Sequence, residues 1–293
     1  MRRILLAFGV LVTVAAWWML VPFVRAYRNE RRVLHPPAGP VTLADADARL
    51  GLQPLTIRQG TTRIAAWYAP PTQGGTVILV GGTGSTRGTL LPEARALIGA
   101  GHGVVLFDWP GHGESTGSVD LGAGAQRALQ AVLDSTATLR GTVSTRIGLC
   151  AFSFGGVAAL MLARRDPRVR ALLLAGTPID AEAQMAYEYR KHGRFALAGA
   201  RWFWRQHGDP LPALRLDSAA AGLARRAVLL IAGERDDVVD PADARRFAEL
   251  IGASADVWRI AGAGHGDYEA AAPEYPERLG AFFTRTLAVP GPH

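Results

Sequence analysis

Three polar residues have the types that nucleophilic acyl transfer requires, and each lies just after a short run typical of a buried strand. They are Ser153 after residues 147–151, Asp236 after 228–231 and His265 after 256–260. A nucleophilic serine needs a base that takes its hydroxyl proton and a carboxylate that holds the base in the right tautomer. Because the carboxyl ends of parallel strands meet at one edge of a sheet, we expect the three side chains to converge there.

Ser153 lies between an apolar strand-like run and the Ala- and Leu-rich run 157–163, which is typical of a helix. A serine on such a sharp strand-to-helix turn exposes its hydroxyl beside the first free N–H groups of the helix. The turn is crowded, so the residues two before and two after the serine must be small. Here they are Ala151 and Gly155, which makes the pattern A-x-S-x-G instead of G-x-S-x-G.

A literal G-x-S-x-G surrounds Ser115, but turn-forming sequence separates Ser115 from the preceding strand and no helix begins on it. Asp237 and Asp240 compete with Asp236, which is favoured by its three-residue offset from Gly233. Asp240 could instead cap the helix that follows. The alternatives to His265 are His102 and His112, which lie in loops near the same sheet edge.

The element pattern alternates strands with helices, which predicts an α/β fold with a mostly parallel sheet and helices on both faces. Strands are predicted at 56–59, 62–68, 76–80, 104–107, 147–151, 171–174, 228–231 and 256–260. Helices are predicted at 94–100, 123–139, 157–163, 241–251 and 276–287.

Composition and charge placement exclude several classes of function. The 293 residues are 49% hydrophobic, which suits one large domain with an accessory segment, and the single cysteine, Cys150, excludes an intrachain disulfide. Of the net charge of +7, +5 falls within residues 1–32, so the excess belongs to a membrane flank rather than a nucleic-acid surface. No histidine cluster in the sequence has the spacing of metal ligands, and the loop 81–84 lacks the lysine of a phosphate-binding loop. We therefore expect neither a metal nor a cofactor.

The N-terminal segment predicts a single membrane-spanning helix. Residues 4–24 carry no ionisable side chain, and at about 1.5 Å per residue they reach roughly 31 Å, the thickness of a bilayer core. A cleaved signal peptide is the alternative, although the run is longer than a usual signal core. We therefore expect an anchor with a basic flank at 1–32, a linker at 33–49 and a catalytic domain at 50–293.

About fifty residues separate the predicted strands 171–174 and 228–231, too many for a simple connection. Residues 181–208 of this insertion are rich in aromatic side chains among basic ones. They predict a small helical lid over the site, and either an apolar acyl pocket or ordinary helix packing explains the aromatic residues.

Taken together, these motifs resemble the α/β-hydrolase superfamily, in particular membrane-anchored serine hydrolases of the esterase and lipase type. The resemblance covers roughly residues 50–287 and includes 108–115, similar to the family's D-x-R-G-x-G-x-S stretch. It implies an oxyanion hole formed by the backbone N–H groups of Thr83 and Phe154. Residues 81–84, Gly-Gly-Thr-Gly, stand where the family usually has His-Gly.

The expected activity is hydrolysis of a carboxylic, lipid-like ester through an acyl-enzyme, with a small-molecule acyl substrate and the membrane as partners. Peptidases, thioesterases and acyltransferases use the same residues, so the sequence leaves the bond class open. A non-catalytic binding protein of this fold is the alternative from another class, but a lost triad residue would mark it and none is lost here.

Overall fold

The computed structural model describes residues 2–36, 38–43, 48–208, 220–223 and 225–288. The strands are β1 Gln53–Gln59, β2 Thr62–Ala69, β3 Thr76–Val80, β4 Gly103–Phe107, β5 Ile147–Phe152, β6 Val169–Ala175, β7 Ala227–Gly233 and β8 Ala255–Ile260. The α-helices are α1 Arg2–Leu34, α2 Leu91–Gly99, α3 Ala123–Thr136, α4 Phe154–Ala163, α5 Ala181–Glu188, α6 Arg194–Gln206, α7 Ala242–Ile251, α8 Tyr268–Ala271 and α9 Tyr275–Thr286.

The strands form one sheet in the order β1-β2-β4-β3-β5-β6-β7-β8. β1 pairs antiparallel with β2, and β2 pairs antiparallel with β4. All the other pairs are parallel. The predicted α/β fold with an opening hairpin and a mostly parallel sheet is therefore confirmed.

Both faces of the central strands are covered, which explains why these strands appear in the sequence as continuous apolar runs. Ile78 and Val80 of β3 belong to the hydrophobic cluster that also contains residues of α3 and α4. Val77 and Leu79 face the other way, into the cluster that contains residues of α2 and α9. Cys150 is fully buried in that second cluster.

Helix α4 begins at Phe154, three residues before the predicted start. The strand β5 ends at Phe152, so Ser153 alone connects the strand to the helix. This tight connection puts the Phe154 N–H in the first turn of α4, where helical N–H groups have no partner within the helix.

Helix α1 is longer than the expected anchor and ends at Leu34, two residues into the predicted linker. Its apolar first part is exposed and, with a mean hydropathy of 2.1, is long and apolar enough to cross a membrane, a test that a signal sequence also meets. The last part of α1 packs on α6, where Tyr27 meets the Phe203 ring edge-on at 5.2 Å between centroids.

The insertion between β6 and β7 contains the helical segment expected at 181–208. It consists of α5, a short 3₁₀ turn at Tyr189–Lys191 and α6. Residues 209–219 of the insertion lie outside the described residues. The aromatic residues of the lid differ in exposure. Tyr189, Phe203 and Trp204 are buried, whereas Trp202 is about half exposed.

Candidate active site

Ser153 stands at a strained position at the carboxyl end of β5. Its φ is +51°, the only positive φ of a residue other than glycine in the part of the chain that the structure describes. A side chain in this region of backbone space costs free energy and persists only where its surroundings enforce it. The Ser153 hydroxyl makes no capping bond to α4, so it remains available for other chemistry.

Glycines surround the turn because neighbouring atoms leave no room for a β-carbon. A β-carbon on Gly155 would collide with the carbonyl groups of Val80 and Gly81 at the end of β3. A β-carbon on Gly82 would lie 3.0 Å from the β-carbon of Ser153. The loop after β3 therefore lies directly against the Ser153 turn. Ala151 is fully buried in β5, so its methyl group is accommodated where the motif has glycine.

The structure joins Asp236 and His265. The Nδ1 atom of His265 lies 2.7 Å from Oδ2 of Asp236, whose carboxylate is almost completely buried. The other carboxylate oxygen accepts hydrogen bonds of 2.9 Å from the backbone N–H groups of Val238 and Val239. These two donors fix the carboxylate so that its free oxygen faces the imidazole.

Ser153 and His265 both border the end of β6. The Ser153 N–H donates to the carbonyl oxygen of Ala175 at 2.8 Å. A β-carbon on the next residue, Gly176, would lie 3.1 Å from two atoms of the His265 ring. Among the described residues no hydrogen bond joins the Ser153 hydroxyl to the ring; such bonds often tighten only when substrate is bound.

The loop 81–84 is held in place by two side chains from the loop after β4. Trp109 donates its Nε1–H to the carbonyl oxygen of Gly81 at 2.8 Å. The Gly84 N–H donates to Nε2 of His112 at 3.2 Å, and Nδ1 of His112 lies 3.3 Å from the carbonyl oxygen of Pro110. Thr83 lies between the two braced glycines, and within the described residues its own N–H has no hydrogen-bond partner.

His112 is suited to this bracing role because it is buried and uncharged. Burial lowers the pKa of His112, which outweighs the opposite effects of the Pro110 carbonyl and the Asp108 carboxylate. The neutral ring then carries its hydrogen on Nδ1 and accepts with Nε2. A histidine from a different loop thus supports the loop in which the family's usual His-Gly is absent.

The structure gives the competing candidates other roles. The Ser115 hydroxyl donates to the Asp108 carbonyl at 2.7 Å and accepts from the Ala65 N–H at 2.9 Å. Asp240 accepts from the Ala242 N–H at 2.9 Å at the start of α7. The Nε2 atom of His102 lies 3.1 Å from the hydroxyl of Thr284 on α9, in a different part of the molecule.

Ser153 opens into a pocket of about 870 Å³, its mouth included. The pocket is lined at one end by Ser153, Thr83 and Phe154. Its other walls come from the lid, from α1, from α4 and from loops at the sheet edge: Asn29, Glu30, Val33, Leu121, Val157, Pro178, Ala181, Gln184, Met185, Glu188, Trp204, Val238 and Val239.

A second pocket, of about 730 Å³, shares Thr83, Leu121 and Phe154 with the first. It is bordered by Trp109 and Arg127 among others and does not include Ser153. The two pockets therefore meet at residues beside Ser153. This arrangement offers separate space on either side of a bond held next to Ser153.

The lid also contacts the loop that carries Asp236. The Tyr187 hydroxyl donates to the carbonyl oxygen of Asp236 at 3.0 Å. Arg190 stacks over the Tyr187 ring, with its guanidinium 3.5 Å from the ring centre, and donates to the carbonyl oxygen of Asp237 at 3.1 Å. Movement of the lid would therefore disturb the loop that carries Asp236.

Within the described residues, no group of three or more His, Cys, Asp or Glu side chains is placed to hold a metal ion.

Comparison with protein families matches residues 77–281, most of the sheet and its helices, to the model of the alpha/beta hydrolase family. The chain belongs to the alpha/beta hydrolase family. An uncharacterised protein of Mycobacterium tuberculosis is 30% identical over 255 residues, which cover 83% of each chain.

Two solved structures show how far the alpha/beta hydrolase fold extends along this chain. An esterase from Pyrococcus furiosus is 20% identical, with a TM-score of 0.71, and covers 87% of this chain and 98% of its own. A bacterial membrane phospholipase A is 20% identical, with a TM-score of 0.62, and covers 99% of this chain and 100% of its own. Membership of this family supports a hydrolase activity, and the two solved structures show the shared fold.

The pocket includes residues that sequence reasoning did not select, namely Asn29, Glu30 and Val33 of α1. In the sequence, Asn29 and Glu30 fall in the predicted basic membrane flank and Val33 in the predicted linker. The one available signal was Glu30, a lone acid among arginines, because an isolated carboxylate beside an apolar segment needs partners if it is buried.

Proposed function

We propose that this alpha/beta hydrolase is a membrane-anchored serine esterase that acts on esters with apolar acyl chains. The observation that carries the proposal is the contact between His265 and the carboxylate of Asp236, near the strained Ser153 turn. This carboxylate is buried and is held in place by two backbone N–H donors. A carboxylate held in this way fixes the imidazole with its hydrogen on Nδ1. The opposite nitrogen, Nε2, is then free to act as a base.

The proposed reaction proceeds in two stages. In the first, His265 Nε2 takes the hydroxyl proton as Ser153 Oγ attacks the ester carbonyl carbon. The N–H groups of Thr83 and Phe154 stabilise the negative oxygen that forms. The carbon–oxygen bond to the alcohol then breaks and His265 returns the proton to the alcohol, which leaves an acyl group on Ser153.

In the second stage, water attacks the acyl group while His265 takes one of its protons. Collapse of the second intermediate breaks the bond to Ser153 Oγ, which regains a proton from His265, and the acid is released. The cycle regenerates the free hydroxyl and consumes one water for each ester.

Three features support an apolar acyl chain and a membrane location. The pocket beside Ser153 contains several apolar side chains, including Leu121, Met185 and Trp204. Helix α1 has the length and hydropathy of a membrane span. The similarity in fold to a membrane phospholipase A adds a lipid ester to the candidates for substrate.

A fluorophosphonate probe tests the nucleophile. We expect the probe to label the wild-type chain and not Ser153→Ala. The matched control is Ser115→Ala, which removes the serine of the literal G-x-S-x-G and should still be labelled. Equal labelling of wild type and Ser153→Ala would overturn the proposal, and a wild-type chain that is neither labelled nor active would favour the non-catalytic alternative.

Hydrolysis of p-nitrophenyl esters and matched thioesters of graded length tests the substrate class. We expect kcat/KM to rise from acetyl to octanoyl esters. A preference for acetyl esters would contradict an apolar acyl pocket, and faster cleavage of thioesters would favour a thioesterase.

A further inference from the structure

The candidate active-site pocket is closed on one side by the helix that carries the apolar N-terminal segment. Ser153 and Phe154 line the same pocket as Asn29, Glu30 and Val33 of α1. The latter three lie beyond the apolar run 4–24, in the part of α1 that packs on the lid. A helix that would otherwise serve only as a tether thus contributes atoms to the site.

Glu30 joins this wall to the lid. Glu30 is 7% exposed, and its carboxylate accepts from the hydroxyl of Tyr189 at 2.7 Å and from Nε1–H of Trp204 at 2.8 Å. Tyr189 and Trp204 belong to the 3₁₀ turn and to α6 of the lid. The two bonds use one carboxylate oxygen each, so Glu30 fixes both lid segments against α1.

The backbones of α1 and α6 also approach closely. A β-carbon on Gly199 of α6 would collide with the carbonyl group of Phe23. The absence of a side chain at Gly199 allows the close contact, and Tyr27 packs against Phe203 nearby. Helix α1 and the lid therefore form one packed unit above the pocket.

The polar side chains in this part of the pocket are paired with protein partners. Asn29 donates to the Tyr189 hydroxyl at 3.1 Å, and Gln184 donates to the Glu188 carboxylate at 2.8 Å. Glu30 has the two donors described above. Since these groups satisfy one another, the wall offers a ligand mainly the apolar surfaces of residues such as Val33, Met185 and Trp204.

We propose that the end of α1 is a wall of the acyl-binding site, in which Val33 limits the length of the acyl chain and Glu30 positions the lid. This inference rests on the proposed esterase function, because an acyl group on Ser153 would occupy this pocket. The ligand class is a medium- or long-chain aliphatic acyl group.

The test measures acyl-chain preference in the full-length chain in detergent. We expect Val33→Trp to reduce the ratio of kcat/KM for dodecanoyl over acetyl p-nitrophenyl esters at least 10-fold, since the larger side chain fills the pocket. The matched control is Leu34→Trp, because Leu34 packs on the core cluster and does not line the pocket. The ratio does not depend on the fraction of folded enzyme, so a partly unfolded variant remains informative.

Glu30 is tested by Glu30→Ala and the conservative Glu30→Gln. We expect Glu30→Ala to raise KM for the dodecanoyl ester about 10-fold more than KM for the acetyl ester, and Glu30→Gln to recover part of the loss because its amide oxygen can still accept one bond. A purely structural role would lower kcat for both esters equally and leave both KM values alone.

The outcomes separate the two proposals. If the wild-type chain is labelled at Ser153 while Val33→Trp keeps the wild-type chain-length profile, the wall proposal is overturned and the esterase proposal stands. If Leu34→Trp changes the profile as much as Val33→Trp, the wall proposal is also overturned. If the wild-type chain neither reacts with the probe nor hydrolyses any ester, the esterase proposal itself fails.

Discussion

At the scale of single residues, the orientation of Asp236 leads to a sharp expectation for its amide analogue. Val238 and Val239 both donate to Oδ1, so that position must remain an acceptor. Asp236→Asn would therefore turn its NH₂ group toward His265 Nδ1. The ring would then carry its hydrogen on Nε2 and could not accept the Ser153 proton.

We expect Asp236→Asn to lower kcat for ester hydrolysis by about 10⁴-fold, as is typical when a triad base is held in the wrong tautomer. Asp237→Asn is the matched control, because the described contact of Asp237 is made by its backbone carbonyl. Its kcat should stay within about 2-fold of wild type. Steady-state kinetics on a p-nitrophenyl ester measures both, and equal losses would contradict the assignment of Asp236.

Glu188, beside the same pocket, should make stability depend on pH. Burial, and next the nearby charge of Glu30, raise the pKa of Glu188 from 4.5 to about 7. The folded state thus prefers the protonated form. The stabilising contribution is complete below about pH 4.5 and is lost as the pH rises through about 7.

We expect Glu188→Gln to raise the free energy of unfolding at pH 8 by about 1 to 2 kcal/mol, because the variant has no buried charge to form. At pH 4 the variant and the wild-type chain should be equally stable. Urea unfolding at the two pH values measures the difference. An equal effect at both would show that the substitution acts through packing.

The sequence predicts that Asp236 and His265 lie close together, but it does not predict the contacts of Glu30 on α1. Asp236 and His265 follow recognisable buried strands, and the carboxyl ends of parallel strands meet by the geometry of the fold. Glu30 meets Tyr189 and Trp204 across separations of 159 and 174 residues. No periodicity or motif encodes that contact, which depends on how the lid packs.

At the scale of elements, the loop 81–84 owes its shape to the loop after β4. Trp109 and His112 hold the carbonyl and the N–H on either side of Thr83. The resemblance implies that one oxyanion donor, the Thr83 N–H, lies on this loop, but it does not imply the support from His112. From the sequence, His112 is only an alternative to His265 as the base. The sequence around a loop histidine does not indicate which group its ring will hydrogen-bond.

We expect His112→Phe to lower kcat about 10- to 100-fold, because the Gly84 N–H loses its acceptor and the Thr83 N–H is no longer held in place. His112→Gln, which keeps an acceptor, should retain more activity. The rate of fluorophosphonate labelling measures the effect directly. Wild-type rates in His112→Phe would show that the loop holds its shape without this bond.

His112 should also contribute to pH-dependent stability. Its pKa is lowered by burial, so the unfolded chain takes up the proton first as the pH falls. The contribution is present above the usual pKa of about 6.5 and is lost as the pH falls toward the lower pKa of the folded state.

Across the chain as a whole, the apolar runs of the sequence predict the sheet, but they do not predict how α1 packs. Continuous apolar strands have one stable arrangement, with helices on both faces, so the order of elements predicted the core. An apolar helix has the same pattern whether lipid or protein covers it. The sequence therefore does not predict the contact between α1 and the lid.

Two N-terminal deletions should separate anchoring from folding. A chain that begins at Pro22 loses most of the apolar run and should leave the membrane fraction while it keeps its esterase activity. A chain that begins at His35 also loses Glu30 and the packing of α1 on α6, so lid side chains such as Phe203 become exposed to water. We expect its Tm to be roughly 5–10 °C lower. Equal Tm values for the two chains would contradict a structural role for the end of α1.

The intact mass of the undeleted chain tests the signal-peptide alternative. If the apolar segment is kept as an anchor, the chain recovered from the membrane fraction should still contain residues 4–24. A mass that lacks the first 24 to 26 residues would show that the segment is cleaved.

Because α1 is one continuous helix, it sets the distance between the membrane and the pocket wall. The nine helical steps from Val24 to Val33 rise about 14 Å, which is about twice the depth of one headgroup layer. With the helix upright in a bilayer, the wall of the pocket at Val33 would stand at a constant height, several ångströms above the headgroup layer. A diacyl lipid would then have to rise partly out of its leaflet to reach the pocket, and the released fatty acid could return to the same leaflet.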